Sequence, residues 1–252
     1  MVADVRWYLD GRSGRAAYDG GHLPGAVFVD LEQCLTAKGG PEVGRHPLSE
    51  PGMFAAAMAA LGIGDADTVL AYDDAGGVIA ARLVWMLRVT GHEAALLDGG
   101  IDAYAGPLER TTPPRPPAAF SARPWPTEQL ADLEDAANPD HTVLDARDAD
   151  RYRGENEPVD PRAGHIPGAR NLSCRGNLTA DGRFLPVEQL RERFRATGVT
   201  DGTPVVSYCG SGVTACHKLL ALELVGLSRG RLYPGSWSQY SHAEGREVAT
   251  GS

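Results

Sequence analysis

The chain of 252 residues is poor in cysteine: Cys34, Cys174, Cys209 and Cys216 are widely spread, and no two of them form a C-x-x-C pair. That spacing argues against zinc-finger ligand sets and thioredoxin-like dithiols. A chain of this size without a secretory signal also has no need of disulfides. No stretch approaches the 18 or so continuous apolar residues of a membrane-spanning helix. The opening MVADVRWYLDG has neither the basic stretch nor the apolar run of a signal peptide. Basic residues are outnumbered, 24 Lys and Arg against 33 Asp and Glu, for a net charge of −9. So acidic a surface repels phosphate backbones, so nucleic acid is not an expected partner, and nothing calls for a membrane. These absences predict a cytoplasmic protein in a reducing compartment, and an apolar fraction of 42% is enough to build real cores.

What the sequence does contain is a repeat. Gly21-His22-Leu23-Pro24-Gly25-Ala26 recurs as Gly164-His165-Ile166-Pro167-Gly168-Ala169. Upstream of each copy lies an apolar run ending in aspartate, read as Val5–Asp10 and as Val143–Asp145. Downstream, Val69-Leu70-Ala71-Tyr72-Asp73 matches Val205-Val206-Ser207-Tyr208-Cys209 and continues without a gap. Gly76 falls on Gly212, Leu83 on Leu219, Leu96 on Leu232, Gly99 on Gly235 and Tyr104 on Tyr240. Three blocks in the same order imply duplication. Between the halves, residues 106–126 hold seven prolines, which suit neither a helix nor a central strand and predict an extended, semi-rigid connector. The expected division is 1–105, a linker 106–126, and 127–252.

Each half alternates short apolar runs with helical patterns, which predicts an α/β fold built twice, each a parallel sheet with helices on both faces. In the second half, helices are expected over 126–137 with Thr127 as N-cap, over 186–197 and over 214–227. Strands are expected at 143–145, 204–208 and 232–233, and residues 244–252 are expected to fray.

The sharpest feature is the run from Val205 to Ala215. A buried strand ends at Cys209, the loop Gly210-Ser211-Gly212-Val213 follows, and a helix starts at Thr214. Sites in open parallel sheets form at the carboxyl ends of strands. Backbone N–H groups of such a loop and the positive end of the following helix favour thiolate over thiol and make the cysteine a nucleophile. Gly210 and Gly212 allow the tight turn around an anion, while Ser211 and Thr214 add hydroxyl donors. A buried structural cysteine is the plainer alternative, but Asp73 at the same place in the first half marks one half as reactive and the other as silent. Cysteine phosphatases share this layout and need an arginine six residues after the cysteine; Ala215 stands there instead.

With these residues in place the chain resembles the rhodanese superfamily, in particular the two-domain thiosulfate/3-mercaptopyruvate sulfurtransferases. The resemblance covers nearly the whole chain. It rests on the paired G-H-[LI]-P-G-A turns, Asp145-Ala146-Arg147, the loop Cys209–Ala215 and Tyr233-Pro234-Gly235-Ser236-Trp237-Ser238. It implies two tandem rhodanese-like domains, with Cys209 carrying sulfur as a persulfide. The neutral Gly210-Ser211 pair looks like the mercaptopyruvate type, since thiosulfate enzymes typically place Arg-Lys there. The resemblance further implies that Arg153 and Arg162 hold the donor carboxylate, that Ser211 relays a proton, and that His22 either faces the site or bonds to its own turn. Gly210, Gly212, Val213 and Thr214 would line the sulfur. Some relatives use an aspartate before the first turn to assist such a serine; Ser13 stands near that place, with Asp10 a few residues earlier. Asp145, Arg147 and His165 are expected to hold the turn to the strand end, and Trp237 to pack beneath the loop.

The expected reaction needs no cofactor and no metal, and its acceptor is cyanide in vitro or a thiol such as thioredoxin. Alternatives are a thiosulfate:cyanide sulfurtransferase, a persulfide carrier serving a biosynthetic partner, and a non-catalytic rhodanese module used for binding.

Overall fold

The computed structural model describes residues 1–111, 114–227 and 230–251. Two compact units emerge, and each borrows a segment from the other's stretch of sequence. Unit 1 comprises Met1–Ala37, Leu48–Pro126 and Ala180–Phe184; unit 2 comprises Lys38–Pro47, Thr127–Thr179 and Leu185–Ser252.

In unit 1 the elements run β1 (Val2–Asp4), α1 (Gly14–Gly20), β2 (Val27–Phe28), α2 (Leu31–Cys34), α3 (Pro51–Ala60), β3 (Val69–Tyr72), α4 (Ala81–Val89) and β4 (Ala94–Leu96). They form a parallel sheet of order β2-β1-β3-β4. Unit 2 repeats the plan with α5 (Leu133–Ala137), β5 (Thr142–Asp145), α6 (Ala149–Arg153), β6 (Arg170–Asn171), α7 (Val187–Ala196), β7 (Val205–Tyr208), α8 (Thr214–Leu224), β8 (Arg231–Leu232) and α9 (Ser236–Tyr240). Its parallel order is β6-β5-β7-β8. The strand order reverses between the two inner strands, so their carboxyl ends open on the crevice where such sheets place ligands.

The duplication extends to side-chain detail. Arg6 bonds Asp4 at 2.6 Å and the carbonyl of Gly21; Arg147 bonds Asp145 at 2.6 Å and the carbonyl of Gly164. Leu23 N–H donates to the Tyr72 hydroxyl and Ile166 N–H to that of Tyr208. These buried contacts clip each G-H-[LI]-P-G-A turn to its strand end, as expected for Asp145 and Arg147. Burial pushes the Asp145 carboxyl up, but the charge and hydrogen bonds of Arg147 outweigh it and leave it below the usual carboxylate range.

Four expectations are corrected. The first strand is Val2–Asp4, with Asp4 rather than Asp10 at its end. Val5 adds one more ladder bond to Tyr72; Trp7 and Tyr8 then leave the sheet, their polar ends on Glu32 and Asp74. Residues 126–137 are not one helix. Ala131 N–H bonds the Leu232 carbonyl at the sheet edge, and α5 starts afresh from Asp132, whose capping box with Asp135 replaces Thr127 as N-cap. The proline-rich segment is extended but laid along unit 1. Ser121 bonds Asp65, Arg123 the Thr90 carbonyl, and Trp125 the Ser49 carbonyl. Thr112 and Pro113, part of that segment, lie outside the described residues. Finally, the C-terminal stretch is tied down: Ala249 pairs with His165 and Gly251 N–H bonds the Arg153 carbonyl.

Candidate active site

All four residues of β7 are buried, and the strand delivers Cys209, itself only 2% exposed, to the mouth of the sheet. The chain then turns at Gly212, whose φ of +77° is left-handed. A Cβ there would stand 2.6 Å from the Pro234 carbonyl oxygen, so both conformation and space demand glycine. The turn points the Gly212 N–H at the Cys209 Sγ, 3.1 Å away. The stretch 233–238 frames the loop from outside. Ser236 Oγ accepts from the Cys209 N–H, Trp237 N–H donates to the Cys209 carbonyl, and Ser238 N–H to that of Gly210. Trp237 is fully buried beneath it. Cys209 therefore sits against a backbone N–H donor just before the start of α8.

The borrowed segment of unit 2 supplies what sequence reasoning missed. Its backbone docks on the frame, with Arg45 N–H on Ser238 Oγ and the Glu42 carbonyl on Gln239. This places His46 Nδ1 2.7 Å from Ser211 Oγ. Two guanidinium groups flank the loop: a Cβ built on Gly210 would lie 3.4 Å from Arg45 Nη2 and 3.5 Å from Arg151 Nη1. Asp160 holds Arg45 at 2.9 Å, and Glu157 holds Arg151 at 2.5 Å and Arg147 at 3.2 Å. The Nε atoms of Arg45 and Arg151 are buried and have no partner among the described residues. The pair thus offers oriented, partly unspent donors beside Gly210 of the loop, suited to a carboxylate or carbonyl oxygen.

Arg153, Arg162 and His22 occupy other places. Arg153 forms an exposed ion pair with Glu155 at 2.6 Å. Arg162 spends its guanidinium on the carbonyls of Ser241, Arg246, Tyr240 and Ala243, at 2.6 to 3.0 Å. It is the clamp of the C-terminal stretch. His22 is fully buried, stacked on Tyr18 and bonded through Nδ1 to the Tyr18 carbonyl; His165 does the same with Tyr152. Both histidines close turns. In unit 1, Ser13 caps α1 and Asp10 pairs with Arg12 at the surface. Val213 is buried, and the Thr214 side chain hydrogen-bonds Cys174. Arg151, two residues before Arg153 and next to Tyr152, is the arginine of that stretch that lies beside Gly210. His46 left no signal in the repeat, because the segment in the equivalent place of the second half, Ala180–Phe184, is shorter and carries no histidine.

Asp73 shows what such a loop holds when the occupant is built in. Its two carboxyl oxygens accept four backbone N–H bonds, from Ala75 and Gly77 on one and from Ile79 and Ala80 on the other, at 2.7 to 2.9 Å. Gly76 turns the chain at φ +74°, as Gly212 does at +77°. A loop of this shape is a socket for a two-atom anion at the end of a Cβ. A carboxylate fills it in unit 1, and a Cys–S–S⁻ group has the same reach in unit 2.

A sheet repeated twice, with a thiol at one strand-end loop and a carboxyl group filling the other, defines a tandem thiol-loop α/β protein. The Rhodanese-like domain model matches residues 2–106 and 126–243, and the chain belongs to the rhodanese family. A Pseudomonas aeruginosa protein named "Probable 3-mercaptopyruvate sulfurtransferase" is 45% identical over all of this chain and 92% of its own length. The human 3-mercaptopyruvate sulfurtransferase is 36% identical over 95% of this chain and 84% of its own, and the bovine thiosulfate sulfurtransferase 37% over 96% and 84%. The crystal structure of SseA from Escherichia coli, described as a 3-mercaptopyruvate sulfotransferase, superposes with a TM-score of 0.82 at 32% identity, covering 94% of this chain and 92% of that one.

Proposed function

We propose that the chain is a sulfurtransferase that takes sulfur from 3-mercaptopyruvate and passes it to a thiol through a persulfide on Cys209. The observation that carries this reading is the Cys209 loop: a thiol that accepts from the Gly212 N–H, with Ser211 bonded to His46 beside it. The Cys209 thiolate attacks the sulfur of the donor. The carbon–sulfur bond breaks, its electron pair goes to the carbon as pyruvate enolate, and the proton of the donor thiol ends on that carbon. The products are pyruvate and Cys209–S–S⁻. A thiolate acceptor then takes the outer sulfur and restores Cys209.

Arg45 and Arg151 hold the donor carboxylate and the developing enolate oxygen. Ser211 and His46 move the proton; with His46 in its Nε2–H tautomer, Ser211 donates to Nδ1. Gly210, Gly212, Val213 and Thr214 shape the socket around the outer sulfur. Residues 127–252, with Arg45 and His46 from Lys38–Pro47, carry the chemistry; the rest of residues 1–105 forms the silent copy, and 106–126 join the two. The acceptor is a small thiol or a dithiol protein of thioredoxin type, and the reducing setting it requires is the cytoplasm. Among the described residues no helix is long and apolar enough to cross a membrane, and no cluster could hold a metal ion.

The relatives carry both donor names at nearly equal identity, so donor choice rests on the residues. The neutral Gly210-Ser211 pair with His46 on the serine favours a donor whose turnover moves a proton, which thiosulfate does not need. Pyruvate release from 3-mercaptopyruvate, beside sulfite release from thiosulfate, tests this in wild type and Cys209→Ser. Fast pyruvate release lost in the variant supports the reading. A preference for thiosulfate keeps the nucleophile and overturns the donor, and no persulfide with either donor leaves a binding module.

A further inference from the structure

A second ionisable group lies beneath the same loop, and the reaction as drawn does not use it. Lys218, on α8, is fully buried, and its Nζ has no hydrogen-bond partner among the described residues. The side chain of a helical residue leans toward the helix N-terminus. From the second turn of α8, Lys218 therefore runs back under the loop, on the face it shares with Thr214 at i−4. Asp145 at the end of β5, Cys209 at the end of β7, Cys174 after β6 and Arg193 on α7 act on its charge. Asp145 is matched by Arg147 at 2.6 Å, Arg193 is oriented by Asn177, and Cys174 is bonded by Thr214. That leaves Cys209 as the neighbour whose charge changes during the reaction.

The repeat supports the same assignment. Continued without a gap, the offset that sets Asp73 on Cys209 sets Arg82 on Lys218. Arg82 is also fully buried. The half with a carboxyl group at the socket carries an arginine on the following helix. The half with a titratable sulfur carries a titratable amine.

We propose that Lys218 is a positioning residue for sulfur transfer, its amine holding a proton while the Cys209 sulfur is anionic and releasing it when Cys209 is a neutral thiol. The inference rests on Cys209 being the sulfur carrier. The exchange balances without a co-reactant: Cys–SH and Lys–NH₂ become Cys–S⁻ and Lys–NH₃⁺. Burial pulls the proton affinity of the amine down, to about 7, against the upward pull of Asp145, Cys174 and Cys209, which leaves it able to change state near neutrality. Coupling of this kind is reciprocal: a cation that favours the thiolate is itself favoured by it.

The test is the pH profile of iodoacetamide alkylation at Cys209, read by peptide mass, in wild type, Lys218→Met and Lys218→Arg. Methionine suits the apolar site and removes the charge; arginine restores a fixed one, as at position 82. The expected midpoint rises by about one pH unit in Lys218→Met, about tenfold slower alkylation on the acid limb, and returns to or below the wild-type value in Lys218→Arg. A folded Lys218→Met protein with the wild-type midpoint overturns the proposal. Should that variant not fold, carbon-13 and nitrogen-15 NMR of labelled lysine in the wild type decides. The Lys218 titration is expected to fall when Cys209 is carboxamidomethylated, and an unchanged titration overturns the proposal. Neither measurement uses a sulfur donor. Persulfide formation on Cys209 from 3-mercaptopyruvate therefore reports separately on the reading beneath it.

Discussion

The two arginine pairs make opposite predictions, and Arg162 separates them most sharply. In the structure its guanidinium donates to four carbonyls of the C-terminal stretch, at 2.6, 2.7, 2.8 and 3.0 Å. The Arg162 carbonyl also accepts from the Trp237 indole. Replacing the side chain by methionine keeps its stem and removes the donors. At about 1 kcal/mol for each hydrogen bond lost, with the freed carbonyls partly rehydrated, the loss is about 3–4 kcal/mol. For a chain of this length that lowers the melting temperature by about 10 °C. Below the transition, kcat/KM for 3-mercaptopyruvate stays within about twofold, a difference under 0.5 kcal/mol. Arg151→Met is expected to behave in the opposite way. A charge-assisted bond to the donor carboxylate of about 1.5–3 kcal/mol converts to a 10- to 150-fold loss of kcat/KM, with a smaller effect on melting because Glu157 keeps Arg147 as partner. Differential scanning fluorimetry and initial rates on both variants decide the matter. An Arg162→Met protein that melts like the wild type and has lost its donor kcat/KM refutes the assignment, and makes Arg162 the carboxylate ligand after all.

Lys218 also gives stability a pH dependence. Its folded value of about 7 lies below the ordinary 10.5, so between those values the unfolded chain binds more protons and stability rises with pH. Below about pH 7 both states carry the proton and the full penalty stands, at most about 5 kcal/mol at about 1.4 per unit. Lys218→Met should therefore stabilise most below pH 7 and not at all near pH 10.5, in urea unfolding followed across that range. His46→Gln and Ser211→Ala should each lower kcat for 3-mercaptopyruvate by about 100-fold or more, the usual weight of a proton relay, while iodoacetamide still labels Cys209. Asp73→Asn puts an NH₂ group against two of the four N–H donors that now meet a carboxyl oxygen. It should cost about 2–3 kcal/mol, where Asn at an exposed acid such as Asp10 has no measurable effect on melting.

The fold was legible because its signals are local and doubled. The G-H-[LI]-P-G-A turns, the strand ending at residue 73 or 209, and the glycine three positions later each announce themselves in a few residues, and the second copy confirms the first. What stayed hidden depends on where a side chain ends rather than where it starts. Arg151 and Arg162 are both arginines of one polar stretch, and only the packed structure shows one beside Gly210 and the other spent on distant carbonyls. The aromatic run at Trp7 and Tyr8 reads as strand because it is apolar, yet Val5 already makes the last ladder bond. His46 could not be found through the repeat at all, because Lys38–Pro47 folds with unit 2 while its flanks fold with unit 1.

That exchange of segments bears on how a duplicated fold acquires one working site. The repeat supplies each half with a strand end, a glycine-turned loop and a buried basic residue on the following helix. In unit 1 the socket is closed by Asp73, whose two oxygens use all four donors, and no sulfur can enter. In unit 2 the occupant is a thiol, and two of the groups that would act on it, Arg45 and His46, come from the segment Lys38–Pro47, which leaves its flanks to fold with unit 2. A single change at position 73 is therefore not enough to make unit 1 reactive. Restoring cysteine alone, as Asp73→Cys, should give an alkylatable thiol in unit 1 but no pyruvate release from 3-mercaptopyruvate in a Cys209→Ser background. Turnover in that double variant would mean that the socket suffices and that Arg45, Arg151, Ser211 and His46 are dispensable.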